Sequence, residues 1–241
     1  MSDEGSGLRL GKRPAVRPAG LATLAAYAQG RLPHPPTTSP VPDVAAWGML
    51  GNDRLGDCTI AGAAHLVIAA DTEVDGVDHI PDTVEVTDTY LSLTGGADQG
   101  LAEYDVLHRW WTDGLFGARI DAYAPVDHRH IAEIQQAVAF YGAAYIGVAL
   151  PASAQRQFAA GQPWVVDPDS PLVGGHCILL VGYGPQYVQA VTWGAVVDVS
   201  WPWLARYCDE AWAVIPHVFT EAGRGPVLDL ASLRQDLGDL R

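Results

Sequence analysis

The chain contains few cysteines and few basic residues, and each shortage excludes a class of protein or partner. Only three cysteines, Cys58, Cys177 and Cys208, occur in its 241 residues. They are too few and too widely spaced for a disulfide framework or a CxxC metal site. Basic residues are also scarce, with 14 Lys and Arg against 28 Asp and Glu and a net charge of −14. This balance argues against nucleic acid and membrane surfaces as partners.

Long apolar runs are missing as well. No stretch of the sequence is long enough to span a bilayer, and residues 1–30 lack the unbroken apolar core of a signal peptide. We therefore expect an intracellular, cytoplasmic protein with reduced thiols. His128 and His130 form an HxH pair, but no third ligand has a suitable spacing. We therefore expect no metal and no cofactor.

The chain divides by composition into an arm and a body. Residues 1–45 contain the proline-rich run "RLPHPPTTSPVPD", which favours an extended course. Such an arm either lies across the folded body or forms a loose leader. In the body, residues 46–142 have helical periodicity and residues 143–241 have short β-rich runs between glycine turns. Helices followed by an antiparallel sheet indicate an α+β fold, in which a cleft between two lobes is the natural place for a site.

The periodicity also predicts individual elements. Helices are predicted over residues 58–70, 84–96, 101–114 and 128–142. Strands are predicted over residues 143–150, 176–184, 187–194, 195–201 and 209–215.

Cys58 begins the first predicted helix, directly after the glycine-bearing stretch "GNDRLGD". The positive end of the helix dipole and the free backbone N–H groups favour a thiolate at this position. Asp57 is suited to be the N-cap, and Gly56 allows the backbone to turn sharply. These features make Cys58 a candidate nucleophile.

A nucleophilic cysteine needs a base, and His176 is the candidate, because it begins a strand in the other half of the body. Gly174 and Gly175 precede it and leave room for a ligand to approach. Cys177 follows it, and its side chain is expected to point the opposite way, into the core. Cys208 is expected to be a packed thiol. We therefore expect Cys58 to react and the other two cysteines to stay inert.

Three stretches resemble the papain-like cysteine peptidase superfamily. Asn52 lies six residues before Cys58, where the family has glutamine. The run "GGHCILLVGYG" matches the histidine segment of the family, and "AVTWG" stands where the family has Asn-Ser-Trp-Gly. The match touches about half of the chain. It is more similar to the compact papain-fold proteins of bacteria and their phages than to lysosomal proteases.

The resemblance implies a helical N-terminal lobe, whose central helix starts at Cys58, and an antiparallel C-terminal β lobe. It implies that Cys58 is the nucleophile and that His176 is the general base and acid. The backbone N–H of Cys58 and the side chain of Asn52 would form the oxyanion hole. Trp193 would shield the ring of His176 from water.

The asparagine that orients the histidine in this family is missing here. When the sequences are aligned on Trp-Gly, Val191 takes its place and cannot orient an imidazole. When they are aligned by distance from His176, Thr192 takes its place and can do so through its hydroxyl. Asp88 is the other candidate, because some papain-fold acyl-processing enzymes use Cys, His and Asp.

We therefore predict a cysteine-dependent acyl-transfer enzyme that forms a thioester at Cys58. Its substrate would be a peptide-like amide or an acyl thioester, including one bound to a carrier protein. With water as the acceptor it is a peptidase or amidase, and with an amine or carbanion it is an acyltransferase or a cyclase that releases a tethered acyl chain. An inactive papain fold that serves as a binding or phage-related structural module is the alternative from another class. The substrate cleft is expected along Gly56, Asp57, Gly174, Gly175 and Trp193.

Overall fold

A computed structural model describes residues 8–77, 79–225 and 228–240. In these ranges the chain forms eight α-helices, six β-strands and one 3₁₀ turn at Leu24–Tyr27. The helices are α1 (Cys58–Asp75), α2 (Thr83–Leu93), α3 (Glu103–Asp113), α4 (Ile131–Tyr141), α5 (Ala152–Ala159), α6 (Trp201–Tyr207), α7 (His217–Glu221) and α8 (Leu230–Asp239). The strands are β1 (Ile120–Pro125), β2 (Ala144–Pro151), β3 (Leu172–Tyr183), β4 (Tyr187–Thr192), β5 (Ala195–Ser200) and β6 (Cys208–Pro216).

The six strands form one antiparallel sheet in the order β1-β6-β2-β3-β4-β5. Strand β3 lies inside this sheet, exposed as far as Gly174 and buried from His176 onward. In its register with β2, His176 pairs with Val148 and Cys177 pairs with Gly147. The pairing with β2 therefore fixes the backbone that carries His176.

Helix α1 is the central helix of the other lobe. Every residue from Cys58 to Ala70 is buried, as expected for a helix that is enclosed on all sides. The helix packs against β3, and Gly62 permits the close approach, because a Cβ there would lie 3.0 Å from Sγ of Cys177. The helix ends at Asp75 and is followed by Gly76, whose φ of 68° glycine adopts without steric penalty. This packing brings the first turn of α1 to the start of the buried part of β3.

The described part of the arm lies across the folded body. Leu24 and Tyr27 are buried in the core, and the hydroxyl of Tyr27 donates to Oδ2 of Asp236 at 2.6 Å. Further along, Ser39 and Tyr183 exchange two backbone hydrogen bonds of 2.9 and 2.8 Å. Residues 1–7 of the expected arm lie outside the described residues.

The predicted α+β class is confirmed. The four predicted helices correspond to α1–α4, and the five predicted strands correspond to β2–β6. The sequence did not reveal β1, which pairs with β6 at the edge of the sheet, nor helices α5–α8. Among the described helices, none is both long enough and apolar enough to cross a bilayer.

Candidate active site

His176 is fully buried where β3 becomes enclosed. Its Nε2 lies 2.7 Å from Oγ1 of Thr192, at the end of β4. Its ring stacks on the indole of Trp193, with centroids 4.4 Å apart and an interplanar angle of 21°. Val191, the alternative to Thr192, is buried in the hydrophobic core. The ring of His176 is therefore held by one polar contact at its edge and one aromatic contact on its face.

Trp193 reaches this position because of the turn that it forms. Trp193 and Gly194 join β4 to β5, and their φ angles are 47° and 73°. A two-residue hairpin loop of type I′ needs positive φ at both central positions, which is uncommon for tryptophan. The indole packs against Phe158 and Trp164 as well as His176, with centroid distances of 5.0, 6.0 and 4.4 Å. These contacts offset the backbone strain of the turn.

The two nitrogens of His176 have different surroundings. Among the described residues, Nδ1 has no hydrogen-bond partner. Burial lowers the pKa of His176 to about 3, so the ring is neutral. With the hydrogen assigned to Nε2 from the hydrogen-bond pattern, Thr192 accepts it and Nδ1 keeps its lone pair. This tautomer leaves Nδ1 available as a base.

Cys58 is the first residue of α1 and is 2% exposed. Its sulfur lies against the backbone N–H groups of Cys177 and Gly11. Because Cys177 directly follows His176, the sulfur of Cys58 lies beside the segment of β3 that carries the candidate base. Burial raises the pKa of Cys58 to about 12, so its thiol is neutral. The expected thiolate is absent because the loss of hydration outweighs the helix terminus and the two N–H groups.

Asn52 is buried in the loop that precedes α1. Its Nδ2 donates to the backbone oxygen of Leu55 at 3.1 Å, which holds the side chain in place. The backbone carbonyl of Asn52 accepts a hydrogen bond from the backbone N–H of Arg9 at 3.1 Å. The carbonyl of Arg9 in turn accepts from Nε1 of Trp193 at 3.2 Å. Asn52 and Trp193 therefore bind the same residue of the arm.

Asp57 occupies the N-cap position of α1, but its side chain makes no cap hydrogen bond. It is fully buried, and a Cβ added to Gly51 would lie 2.5 Å from its Oδ2. Burial raises the pKa of Asp57 to about 7, and the adjacent amide of Asn52 opposes this shift. The carboxyl therefore lies buried beside Gly51 of the loop, and among the described residues neither of its oxygens has a hydrogen-bond partner.

Part of the arm lies in the cleft, against the glycines predicted to line it. A Cβ on Gly11 would fall 1.7 Å from the carbonyl oxygen of Gly56, and a Cβ on Gly174 would fall 3.0 Å from Cδ1 of Leu10. The two backbones thus pass each other at a distance that only glycine allows. The arm covers Cys58 at this point, which explains the burial of the thiol.

Backbone hydrogen bonds hold the arm on both sides of the cleft. The N–H of Lys12 donates to the carbonyl of Gly175 at 3.1 Å. Opposite, the N–H of Leu101 donates to the carbonyl of Gly11 at 3.0 Å, and the N–H of Arg13 donates to the carbonyl of Leu101 at 2.9 Å. The arm therefore binds as an extended strand between the two lobes.

Asp88, the second candidate for orienting the histidine, lies on the exposed face of α2. This helix buries Val86 and Tyr90, which are one turn apart, so the residue midway between them points outward. The structure does not bring Asp88 to His176. Of the two candidates, only Thr192 lies within hydrogen-bonding distance of the ring.

The other two cysteines are buried free thiols. Cys177 faces α1 and Tyr145, on the side of β3 opposite to His176, as strand alternation requires. The sulfur of Cys208 donates to the carbonyl of Glu210 at 3.3 Å. Burial raises the pKa of both thiols well above the usual range.

The HxH pair lies before α4, outside the cleft. His130 is exposed, and its Nδ1 lies 3.2 Å from Asp127 and 3.7 Å from Glu133. Nδ1 of His128 lies 3.5 Å from a guanidinium nitrogen of Arg17. Within the described ranges, no group of three or more His, Cys, Asp and Glu residues could hold a metal ion.

Sequence reasoning missed an ionic cluster beside the cleft. Nζ of Lys12 lies 3.0 Å from Oδ1 of Asp209 and 3.0 Å from Oε1 of Glu210. Glu103, at the start of α3, is fully buried near them. The adjacent acids at the start of β6 are visible in the sequence. No local pattern links them to a lysine 197 residues away from Asp209.

A central helix headed by cysteine, a facing antiparallel sheet that carries histidine, and a cleft between them define the papain-like fold. Three solved structures with this fold are similar to the chain. Xylellain, a cysteine protease from Xylella fastidiosa, has a TM-score of 0.66 and 14% identity, over 89% of this chain and 98% of that chain. ProCathepsin B S9 from Trypanosoma congolense has a TM-score of 0.56 and 13% identity, over 88% of each chain. The Carica candamarcensis cysteine protease CMS1MS2 in complex with E-64 has a TM-score of 0.51 and 15% identity, over 75% of this chain and 98% of that chain. No family model matches the sequence, and no curated protein matches it. The fold is therefore the one that the sequence resemblance predicts.

Proposed function

We propose that the chain is a cysteine-dependent hydrolase of peptide-like amides. The observation that carries this proposal is the extended segment across Cys58, held by backbone hydrogen bonds to Gly175 and Leu101. A cleft that binds the main chain of one extended segment can bind a peptide substrate through the same groups. Next to that segment lie a thiol and a neutral imidazole, which are the two groups that acyl transfer through a thioester requires.

The first half of the reaction forms a thioester. Nδ1 of His176 takes the proton of the Cys58 thiol, and the sulfur attacks the substrate carbonyl carbon. A C–S bond forms, and the electron pair of the C=O bond moves to oxygen. The N–H of Cys58 and the amide of Asn52 stabilise this oxyanion. When the intermediate collapses, the C–N bond breaks and His176 gives its proton to the leaving nitrogen.

The second half returns the free enzyme. A water molecule attacks the thioester carbon while Nδ1 of His176 takes one of its protons. The C–S bond then breaks, the carboxylic acid leaves, and the sulfur of Cys58 regains a proton from His176. Thr192 keeps the ring in one orientation by accepting the hydrogen of Nε2. Trp193 covers one face of the ring.

The arm must leave the cleft before a substrate can enter. In the arm-covered form both Cys58 and His176 are neutral, because burial raises the pKa of the thiol and lowers that of the imidazole. Displacement of Gly11 hydrates the thiol and lowers its pKa. The arm-covered form is therefore the resting state of the proposed enzyme.

E-64, the compound in the Carica complex, tests the nucleophile. The full chain, and a Gly11→Ala variant in which the arm cannot seat, are incubated with E-64, digested and analysed by mass spectrometry. We expect an adduct at Cys58 and none at Cys177 or Cys208. If neither protein forms an adduct nor cleaves any peptide amide, the inactive binding module is the better description.

The products of a fluorogenic peptide amide identify the acceptor. We expect the free acid, formed by the wild-type chain and not by Cys58→Ser. An added amine that captures the acyl group at the expense of the free acid would instead support the acyltransferase or cyclase alternative.

A further inference from the structure

A cavity of about 200 Å³ lies beside the second half of α1, away from the cleft. Its floor consists of Leu66, Val67 and Ala70, all of which are buried. Cys58 begins the same helix, and Asp71, at the mouth of the cavity, lies thirteen residues later, which corresponds to ~20 Å along the helix axis. Pockets for drug-sized ligands have volumes of about 300–1,000 Å³. The cavity is therefore separate from the cleft and suited to a smaller molecule.

Two aromatic residues, Trp110 and Phe116, add an apolar wall to this cavity. Phe116 and Gly117 form a two-residue turn with φ angles of 53° and 72°, and two backbone hydrogen bonds of 3.0 and 2.8 Å between Leu115 and Ala118 close it. A positive φ is uncommon for phenylalanine, and residues strained in this way cluster at ligand sites. Nε1 of Trp110 donates to the carbonyl of Ala118 at 3.2 Å, which fixes the turn to α3. The wall is therefore in place before a ligand binds.

Asp71 places a carboxyl group at the mouth of the cavity. Its side chain is 21% exposed, and its Oδ2 lies 3.4 Å from Nδ1 of His79, which is longer than a usual N–H···O hydrogen bond. The side chain of His79 is itself 67% exposed, and exposed ion pairs contribute little to stability. Burial raises the pKa of Asp71, although His79 opposes this shift. An ammonium group at the mouth would therefore stabilise the carboxylate of Asp71 more than His79 does.

The rest of the mouth carries charged groups of both signs. Nδ1 of His217 lies 3.1 Å from Oδ1 of Asp121, and its Nε2 lies 3.4 Å from Oε1 of Glu221, which also lines the cavity. Arg119 lines the cavity and is exposed. Among the described residues, no hydrogen bond or ion pair involves its guanidinium group. The mouth therefore offers one carboxylate from α1, a second from α7 and a guanidinium group that can accept a new partner.

We propose that this cavity binds a free α-amino acid with an apolar side chain. The side chain fills the space between the floor of α1 and the two aromatic rings. The α-ammonium group pairs with Asp71 and Glu221, and the α-carboxylate pairs with the guanidinium group of Arg119. A simple amine would leave the guanidinium group unpaired, and a simple carboxylic acid would leave both carboxylates unpaired. The inference does not rest on the proposed function, because none of these residues takes part in acyl transfer.

Isothermal titration calorimetry of the full chain tests the ligand class. Leucine and phenylalanine are compared with glycine, which lacks the side chain, with N-acetylleucine, which lacks the ammonium group, and with leucinamide, which lacks the carboxylate. We expect leucine or phenylalanine to bind, and each of the three analogues to bind roughly tenfold more weakly or less. The proposal is overturned if neither leucine nor phenylalanine binds. Equal binding of leucinamide also overturns it, because the site would then recognise any apolar amine, including the first residue of a peptide.

Two tryptophans of this chain locate the bound amino acid. Trp110 lines the cavity, whereas Trp193 stacks on His176 in the cleft. Their indole N–H signals in proton–nitrogen correlation spectra are assigned with Trp110→Phe and Trp193→Phe. Leucine should shift the signal of Trp110 and leave that of Trp193 in place. A shift of Trp193 alone would place the amino acid in the cleft and overturn the proposal.

Variants of the charged groups test the two pairings separately. Asp71→Asn should weaken leucine binding roughly tenfold and leave the weak binding of N-acetylleucine unchanged, because that analogue has no ammonium group to lose. Arg119→Gln should weaken leucine binding by a similar factor and leave leucinamide unchanged. Asp239→Asn and Arg129→Gln make the same chemical changes at exposed positions outside the cavity and serve as matched controls. Wild-type affinity for leucine in either Asp71→Asn or Arg119→Gln overturns the proposal.

Discussion

Gly11 of the arm and Gly56 of the loop before α1 meet backbone to backbone beside Cys58. A methyl group on Gly11 would fall 1.7 Å from the carbonyl oxygen of Gly56 and 2.6 Å from its Cα. No flexible side chain is involved, so rotation cannot relieve such a clash. One added methyl group therefore tests whether the seated arm controls access to the thiol.

Gly11→Ala should displace the arm and expose Cys58. We expect the rate of alkylation at Cys58 and the turnover of peptide amides to rise about tenfold or more, since a clash of this kind typically costs about 1–3 kcal/mol. Gly184→Ala is the matched control, because no heavy atom lies within 4 Å of a Cβ at that position. Equal rates in the two variants would show that the arm does not limit access.

The pH dependence of labelling should report the burial of Cys58. Because burial raises the pKa of this thiol to about 12, the thiolate fraction of the wild-type chain stays low near neutral pH. Iodoacetamide labelling of Cys58 should therefore increase up to pH 10 without a plateau. In Gly11→Ala the inflection should move to lower pH, while Cys177 and Cys208 stay unlabelled in peptide maps. The same profile in both proteins would mean that the arm does not cause the shift.

Thr192→Val should lower kcat about tenfold or more with little change in KM, because Nε2 of His176 then loses its acceptor in a buried site. Thr192→Ser keeps the hydroxyl and should retain most of the rate. Asp88→Asn should have no effect, because Asp88 is exposed on α2. Steady-state kinetics of the three variants show whether Thr192 or Asp88 orients the ring of His176. A wild-type rate in Thr192→Val would leave the stacking on Trp193 as the sole means of holding the ring.

Asn52→Ala should lower kcat by roughly a hundredfold, which is typical for the loss of one oxyanion donor. KM should change little, because the interaction forms in the transition state. Asn52 also donates a hydrogen bond to the carbonyl of Leu55. A thermal melt of the variant must therefore show that it is still folded. An unchanged kcat in a folded variant would place the oxyanion hole elsewhere.

His65 should make the protein less stable in acid. It is buried in α1, its Nε2 lies 3.0 Å from the carbonyl oxygen of Gly48, and burial lowers its pKa from 6.5 to about 4. Between these values the unfolded chain binds more protons than the folded chain. The free energy of unfolding therefore falls as pH drops from about 6.5 to 4, by at most ~3 kcal/mol from this residue.

His65→Gln isolates this effect, because glutamine can donate to Gly48 and does not titrate. Urea unfolding of both proteins at pH 7 and pH 4.5 is the measurement. The wild-type chain should lose more stability than the variant between the two values. Equal losses would show that His65 is not responsible for the acid sensitivity.

Features with a local cause could be predicted from the sequence. Cys58 follows a glycine-bearing turn and starts an apolar helical run, and His176 starts a long apolar strand, so both elements were recognised. Strand β1 was missed because it is short, ends in proline and lies at the sheet edge. Helix α6 begins with Trp201 and Pro202, and these residues continue an apolar run whose period does not distinguish a strand from a helix.

Features that depend on distant segments could not be predicted. Whether Thr192 or Asp88 faces His176 depends on how β4 and α2 pack, which no local pattern encodes. The neutral state of Cys58 depends on burial by Gly11, which lies in a different part of the chain. The ionic contacts of Lys12 with β6 were invisible for the same reason.

The arm segment around Gly11 and Lys12, which fills the cleft, belongs to the same chain as the cleft. Between Lys12 and the buried anchor at Leu24, the chain is largely exposed and has no regular secondary structure. Such a tether holds the arm at an effective concentration on the order of millimolar. A free peptide with the same intrinsic affinity would reach half occupancy only near that concentration. A single cut between Lys12 and Leu24 would make binding of the arm segment to the cleft an ordinary bimolecular equilibrium. Dilution alone would then release the segment and open the cleft.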